Sequence, residues 1–198
     1  MKHLAVFASG SGTNAERIFE RFRDHTSIRV AVLLTNNPNA GAIARAARFN
    51  IPVEILEKSA LTQTDRVLEK LRSYQVDWIV LAGFMLMIPP GLIDTFPNRI
   101  VNIHPALLPA YGGKGMYGIR VHQAVVEAKE EVTGITIHYV NENYDEGAVI
   151  FQVSCTVQPY DTAETVADKV HHLEHEYYPQ IIEETIRQKT GDRKRVER

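Results

Sequence analysis

The chain reads as an α/β protein with a Rossmann-like mixed sheet, mainly parallel, with a C-terminal antiparallel strand pair and a long C-terminal helix. Three observations predict this architecture. Short apolar runs alternate with amphipathic segments of helical length through the first half of the chain, which is the pattern of βαβ units. Glycines occupy the first connection, where a strand would turn into a helix. From Gly134 the rhythm changes to two successive strands and one capped helix.

The elements follow in order. His3 to Ala8 is a first strand, and Ala15 to Arg23 a helix with Ile18, Phe19 and Phe22 on one face. Ile28 to Thr35 is a second strand, Gly41 to Phe49 an alanine-rich helix, and Pro52 to Leu56 a short third strand. Thr62 to Tyr74 forms a third helix with Val67, Leu68 and Leu71 inward. Trp78 to Ala82 and Arg99 to Ile103 are the fourth and fifth strands. Gly134 to Val140 alternates cleanly and pairs with Ala148 to Cys155 across a short polar loop. Asp161-Thr162-Ala163-Glu164 resembles a capping box, and Val166, Val170, Leu173, Tyr177 and Ile181 give the helix behind it an apolar stripe. A single domain over residues 1–188 and a charged, frayed tail over 189–198 are expected.

Composition narrows the function classes. The 198 residues are 44% hydrophobic and 23% charged, as in ordinary globular proteins, and the formal charge of −2 leaves no electrostatic footprint for nucleic acid. One cysteine, Cys155, forms no internal disulfide and builds no zinc site. The N-terminus runs directly into Leu4-Ala5-Val6-Phe7-Ala8, too short for a secretory leader, and no apolar run approaches the roughly 20 residues of a membrane span. The expectation is a soluble protein of a reduced compartment, the cytoplasm, with no membrane or nucleic-acid partner.

Chemistry concentrates in Val101-Asn102-Ile103-His104-Pro105. Side chains alternate along a strand, so Asn102 and His104 project to one face at its exit, and Pro105 ends the pairing. An uncharged donor beside a group that titrates near neutrality suits a reaction with a developing oxyanion and a moving proton. An Asn capping the next loop and a His bonded within the core would give the same sequence, and these two residues alone leave both open.

The loop Ser9-Gly10-Ser11-Gly12-Thr13-Asn14-Ala15 fits a phosphate cradle at a helix N-terminus. A dinucleotide would require a carboxylate after the second strand, where the chain has Thr35-Asn36-Asn37. Thr13 and Asn14 suit one terminal phosphate better than a pyrophosphate. The polar hairpin loop Asn141-Glu142-Asn143-Tyr144-Asp145-Glu146-Gly147 holds three acidic residues, one of which can reach His104 if the hairpin packs at the carboxyl edge of the sheet. A carboxylate there would raise the histidine pKa and let it hold a proton near neutral pH.

Together these blocks resemble the phosphoribosylglycinamide formyltransferases, from about His3 to Ile186. The resemblance rests on Ser9 to Asn14, Leu81-Ala82-Gly83-Phe84-Met85, Asn102-Ile103-His104-Pro105-Ala106-Leu107-Leu108-Pro109 and Gly134-Ile135-Thr136-Ile137-His138. It continues in Asp145 to Ile150 and Glu174 to Pro179. The resemblance implies formyl transfer from 10-formyltetrahydrofolate, as co-substrate, to the amine of glycinamide ribonucleotide in purine biosynthesis, without a metal. It implies Asn102 as oxyanion donor, His104 as proton donor or electrostatic partner, and Asp145 as the group that orients and charges the imidazole. Gly12, Thr13 and Asn14 would hold the phosphate, and the segment His171, His172, Leu173 and Glu174 would close on the same substrate. Met85, Leu86, Met87 and Ile88, together with Asn102, Asn141, Glu142, Asn143, Tyr144 and Asp145, would line the folate pocket. The assembly is expected to be a monomer or homodimer. A formyltetrahydrofolate hydrolase and a non-catalytic folate or mononucleotide module are the rivals. The first usually carries an N-terminal regulatory domain, whereas this chain starts at the first strand; the second has no need to keep Asn102, His104 and Asp145 together.

The chain departs from the family pattern in three places. The segment Ala110 to Gly118 is glycine-rich where relatives often have a compact loop, and reads as a flap beside the site. Leu86 stands where the family often has arginine, and Thr64 or Arg66 where it has another. His171 and His175 have metal-compatible spacing but no third ligand, so a solvated or substrate-edge pair is expected. His138 is expected to support Asp145 or to make a structural hydrogen bond. Met85, Met87 and Ile88 would also suit an ordinary core, and Glu127 to Glu131 a solvated helix end.

Overall fold

A computed structural model describes residues 1–56 and 64–191. Its elements are β1 (Lys2–Phe7), α1 (Thr13–Phe22), β2 (Ile28–Thr35), α2 (Gly41–Arg48), β3 (Val53–Ile55), α3 (Thr64–Ser73), β4 (Trp78–Leu81), α4 (Pro90–Thr95), β5 (Ile100–His104), α5 (Ile119–Glu127), β6 (Val132–Tyr139), β7 (Val149–Thr156) and α6 (Ala163–Thr190). The strands form one sheet in the order β3-β2-β1-β4-β5-β6-β7. The first five are parallel, whereas β6 runs antiparallel to both β5 and β7. The mixed α/β sheet is therefore the one the sequence predicts.

Alternation along the buried strands divides the core between the two faces of the sheet. Leu4, Val6, Val80, Val101 and Ile103 pack with α1, α2, α5 and α6, whereas Ala5, Phe7, Ile79 and Ile100 pack with α3 and α4. Ile100, Asn102 and His104 share a parity. The strand thus begins in an apolar cluster and ends with two polar side chains on the same face.

Four sequence expectations need correction. β5 extends to His104, so the histidine is the last residue of the strand and lies opposite Thr136 of β6. One helix was not anticipated, α4, which starts with Pro90 in its first turn; α5, which follows the glycine-rich segment, ends at Glu127 where a helix end was expected, although its span was not read. The stripe expected on α6 is buried at Val166, Val170 and Ile181 and half-buried at Leu173 and Tyr177, but it is wider than its apolar residues suggest. The row Val166, Val170, Glu174, Tyr178, Ile182 and Ile186 is buried, an i+4 series that includes a carboxylate. The capping box is present, but the residue reciprocating with Thr162 is Thr165. Thr62 and Gln63 of the expected third helix, and residues 192–198 of the expected tail, lie outside the described residues. No helix among the described residues is long and apolar enough to cross a membrane.

Candidate active site

The glycine loop is held open by its neighbours. Gly12 has φ +76°, and a Cβ there would lie 2.6 Å from Ala42 Cα, so only glycine fits both the turn and the approach of α2. Arg45 Nε donates to the Ser11 carbonyl at 2.8 Å and Asn37 Nδ2 to the Ser9 carbonyl at 3.1 Å. Ser9 Oγ donates to Asn36 Oδ1 at 2.5 Å. The asparagines that stand where a dinucleotide site needs a carboxylate therefore brace the loop. The first N–H groups of a helix have no intrahelical acceptors, and α1 begins at the wall of the cavity that Gly10 to Asn14 line. A helix start of this kind suits an anion. Asn14 Nδ2 donates to Glu174 Oε2 at 2.9 Å, which joins α1 to α6. Burial pushes the Glu174 carboxyl up, against the opposing pull of the Asn14 hydrogen bond and His171.

At the other end of the same cavity, of about 440 Å³, the strand exit meets the hairpin. Gly147 makes this approach possible, because a Cβ there would fall 1.6 Å from the Tyr139 carbonyl oxygen. Of the three acidic residues in the loop, Asp145 is the one turned inward. Its Oδ2 lies 3.5 Å from His104 Nδ1 and accepts from the Gly113 N–H at 2.9 Å, and its Oδ1 lies 3.6 Å from His138 Nε2. Glu146 instead accepts from Asn143 Nδ2 at 2.7 Å, and Glu142 is exposed.

Hydrogen bonds assign the ring nitrogens. His104 Nε2 donates to the Tyr111 carbonyl at 2.8 Å, leaving Nδ1 to face Asp145. His138 Nδ1 donates to the Tyr139 carbonyl at 2.9 Å, and its Nε2 accepts from Asn102 Nδ2 at 3.2 Å. That contact uses one amide N–H of Asn102 and leaves the other for a ligand. His138 thus touches both Asn102 and Asp145.

The electrostatics reverse one expectation. Burial pushes the His104 imidazole below its ordinary value and outweighs the upward pull of Asp145 and the Tyr111 carbonyl. His104 is therefore neutral, not charged, near pH 7. Burial also pushes the Asp145 carboxyl up, but the His138 contact, His104 and the Gly113 N–H together bring it below the ordinary range. The resting pair is a neutral imidazole facing a carboxylate.

Most of the remaining expected residues converge on the cavity. Met85, Leu86, Met87 and Ile88 all line it, with Leu86 and Ile88 also leaning on the α3–α4 cluster. The Met85 N–H donates to Ser9 Oγ at 2.9 Å and is not free for a ligand. Asn141, Asn143 and Tyr144 line the cavity, but Glu142 does not. His171 and Glu174 line it as well. His172 turns away and donates to the Asp168 carbonyl at 2.7 Å, and Leu173 packs against the core beneath α6. The glycine-rich segment contributes Gly113, Gly115, Met116 and Tyr117 to the wall. Sequence reasoning missed His122, a buried cavity-lining residue of α5. The available signal was a histidine directly after Val121 and three residues before Val125, the two apolar residues buried on that helix.

A glycine loop at a helix N-terminus and an Asn102, His104 and Asp145 cluster line one cavity at the carboxyl edge of the parallel strands, where open α/β sheets place ligands. The chain belongs to the formyl transferase family, whose model matches residues 2–182. Relatives with this similarity are named phosphoribosylglycinamide formyltransferase. The chloroplastic protein of Arabidopsis thaliana is 43% identical over 187 residues, covering 91% of this chain and 64% of its own length. The Bacillus subtilis protein is 38% identical, covering 94% and 95%. Among solved structures, glycinamide ribonucleotide transformylase 1 from Geobacillus kaustophilus matches with a TM-score of 0.83 at 40% identity, covering 92% of this chain and 97% of that one. The Bacillus halodurans phosphoribosylglycinamide formyltransferase gives 0.85 at 36% identity, covering 96% and 97%. The chain spans 64% and 60% of the lengths of two plant relatives.

Proposed function

We propose that this chain transfers a formyl group from 10-formyltetrahydrofolate to the primary amine of glycinamide ribonucleotide, a step of purine biosynthesis. The reading rests on one observation above the others: the glycine loop and the Asn102, His104, Asp145 centre open into a single cavity. The phosphate would sit on Gly12, Thr13 and Asn14, the ribose beside Glu174, and the pterin between Met85–Ile88 and the side formed by Asn141, Asn143, Tyr144 and Asp145. The protein would act in the cytoplasm as a monomer or homodimer on small molecules alone.

The amine lone pair forms a new bond to the formyl carbon, and the carbonyl oxygen becomes an alkoxide that takes the free N–H of Asn102. Such a donor contributes about 10²–10³ in rate. The proton released from the attacking nitrogen goes to His104 Nδ1. Protonation there turns a lone pair facing a carboxylate into an ion pair, so Asp145 favours proton uptake in the intermediate more than in the resting site. Collapse re-forms the carbonyl, breaks the bond to the folate nitrogen and delivers the proton to that leaving group. No step requires a metal, because the donor is an activated amide.

The test is release of tetrahydrofolate from purified protein with and without glycinamide ribonucleotide. Release that depends on the ribonucleotide supports the transferase. Equal release without it supports the hydrolase, and ligand binding with no release supports a non-catalytic module.

A further inference from the structure

His122 is a buried, titratable group that the proposed chemistry leaves unused. It is 2% exposed, lies on α5 just beyond the glycine-rich segment, and lines the cavity that both ends of the site share. Its Nδ1 is buried and has no hydrogen-bond partner among the described residues. A buried polar atom left unpaired in a native fold calls for a partner that binds there, because its desolvation is otherwise uncompensated. Asn14 Oδ1, at the other side of Glu174, is likewise buried and unpartnered, although its Nδ2 is engaged. Both side chains line the same cavity.

Its neighbours tie it to the rest of the site. The His122 ring stands edge-to-face against His171, with centroids 6.5 Å apart and an interplanar angle of 79°. His171, Glu174 and His104 line the same cavity as His122. His122 therefore stands against a histidine that shares the cavity with both Glu174 and the reacting centre. Burial, followed by His171 and His104, pushes its imidazole down to about 4, so it is neutral and offers one donor and one acceptor. A purely apolar acceptor could not use these groups. A secondary amide, which also has one donor and one acceptor, can.

We infer that His122 is a binding residue for the acceptor, hydrogen-bonding the polar amide linker between the phosphorylated sugar and the attacking amine. This deepens the proposed function and rests on it. It makes α5, together with the glycine-rich segment before it, part of acceptor recognition.

The experiment is steady-state transfer by the full chain and its His122→Ala and His122→Asn variants, each with formylfolate and glycinamide ribonucleotide varied in turn. The Asn side chain places an amide near the position of imidazole Nδ1, and so keeps polarity there even if the Ala variant folds poorly. The expected result is an acceptor KM raised at least tenfold in His122→Ala, a folate KM changed less than threefold, and an acceptor KM in His122→Asn restored to within about threefold of the unaltered protein. An unchanged acceptor KM in His122→Ala overturns the inference and leaves the proposed function standing. So does an equal loss in the KM for both substrates, or no recovery in a folded His122→Asn. No transfer by the unaltered protein overturns the proposed function and the inference with it.

Discussion

Asp145 Oδ2 lies 3.5 Å from His104 Nδ1, on the ring nitrogen opposite the one that donates to Tyr111. The carboxylate therefore faces the only site on the imidazole that can take up a proton. Asp145→Asn is expected to keep both ligands bound and to lower turnover by about 10²–10⁴-fold, the usual contribution of a positioned proton-transfer system. Its pH profile carries a sign. Asp145 pulls the His104 pKa upward, so its removal moves the acid limb of kcat/KM to lower pH. A titration of activity in both proteins checks this, and an acid limb that moves upward contradicts the pairing.

Asn102 is fixed by His138 at 3.2 Å with one N–H left over. Asn102→Ala is expected to lower kcat by about 10²–10³-fold with little change in either KM, as for an interaction made mainly in the transition state. Comparing kcat with both KM values checks the assignment.

Gly147 is required by space rather than by a left-handed backbone. Gly147→Ala would place a Cβ 1.6 Å from the Tyr139 carbonyl oxygen and displace the loop that carries Asp145. Because a misplacement of about 1 Å at a reacting centre can cost about 10²-fold, turnover is expected to fall by that order. Loss of turnover with the phosphate cradle still binding its ligand is the informative outcome.

Tyr178, fully buried in α6, donates to the Leu81 carbonyl at 2.7 Å and the Val101 carbonyl at 3.2 Å. Those strand ends carry the site. Tyr178→Phe leaves buried carbonyls short of a donor and is expected to cost about 1–3 kcal/mol in denaturant unfolding.

His122 also sets an acid sensitivity. Its folded pKa of about 4 lies below the ordinary 6.5, so the unfolded chain binds the proton more readily. Stability is then complete above about pH 6.5 and falls as the pH drops toward 4, by about 2–3 kcal/mol at a conversion of about 1.4 kcal/mol per unit. Unfolding of His122→Asn between pH 7 and 4.5 is expected to show a smaller loss than the unaltered chain.

Strands were the most legible elements, because β-branched apolar runs fill both faces of a covered sheet. β2 has the bounds read from its sequence, β4 differs from its reading by a residue at one end and β1 by a residue at each end. Asn102 and His104 were legible as a pair through the period of two. Their meeting with Asp145 was not, since it depends on how the hairpin packs and on the spaces at Gly147 and Gly112. Two features misled the reading. Glu174 was not read as part of the buried stripe, because an apolarity pattern passes over a polar residue even when the i+4 row buries it. The charge state of His104 went the other way, because sequence reveals a neighbouring carboxylate but not the depth of burial opposing it.

The most direct measurement follows a labelled formyl carbon from 10-formyltetrahydrofolate by mass spectrometry, in the presence of glycinamide ribonucleotide and purified protein. The account expects the label on the ribonucleotide amine in step with tetrahydrofolate release. Label in free formate, with the ribonucleotide unchanged, would contradict it.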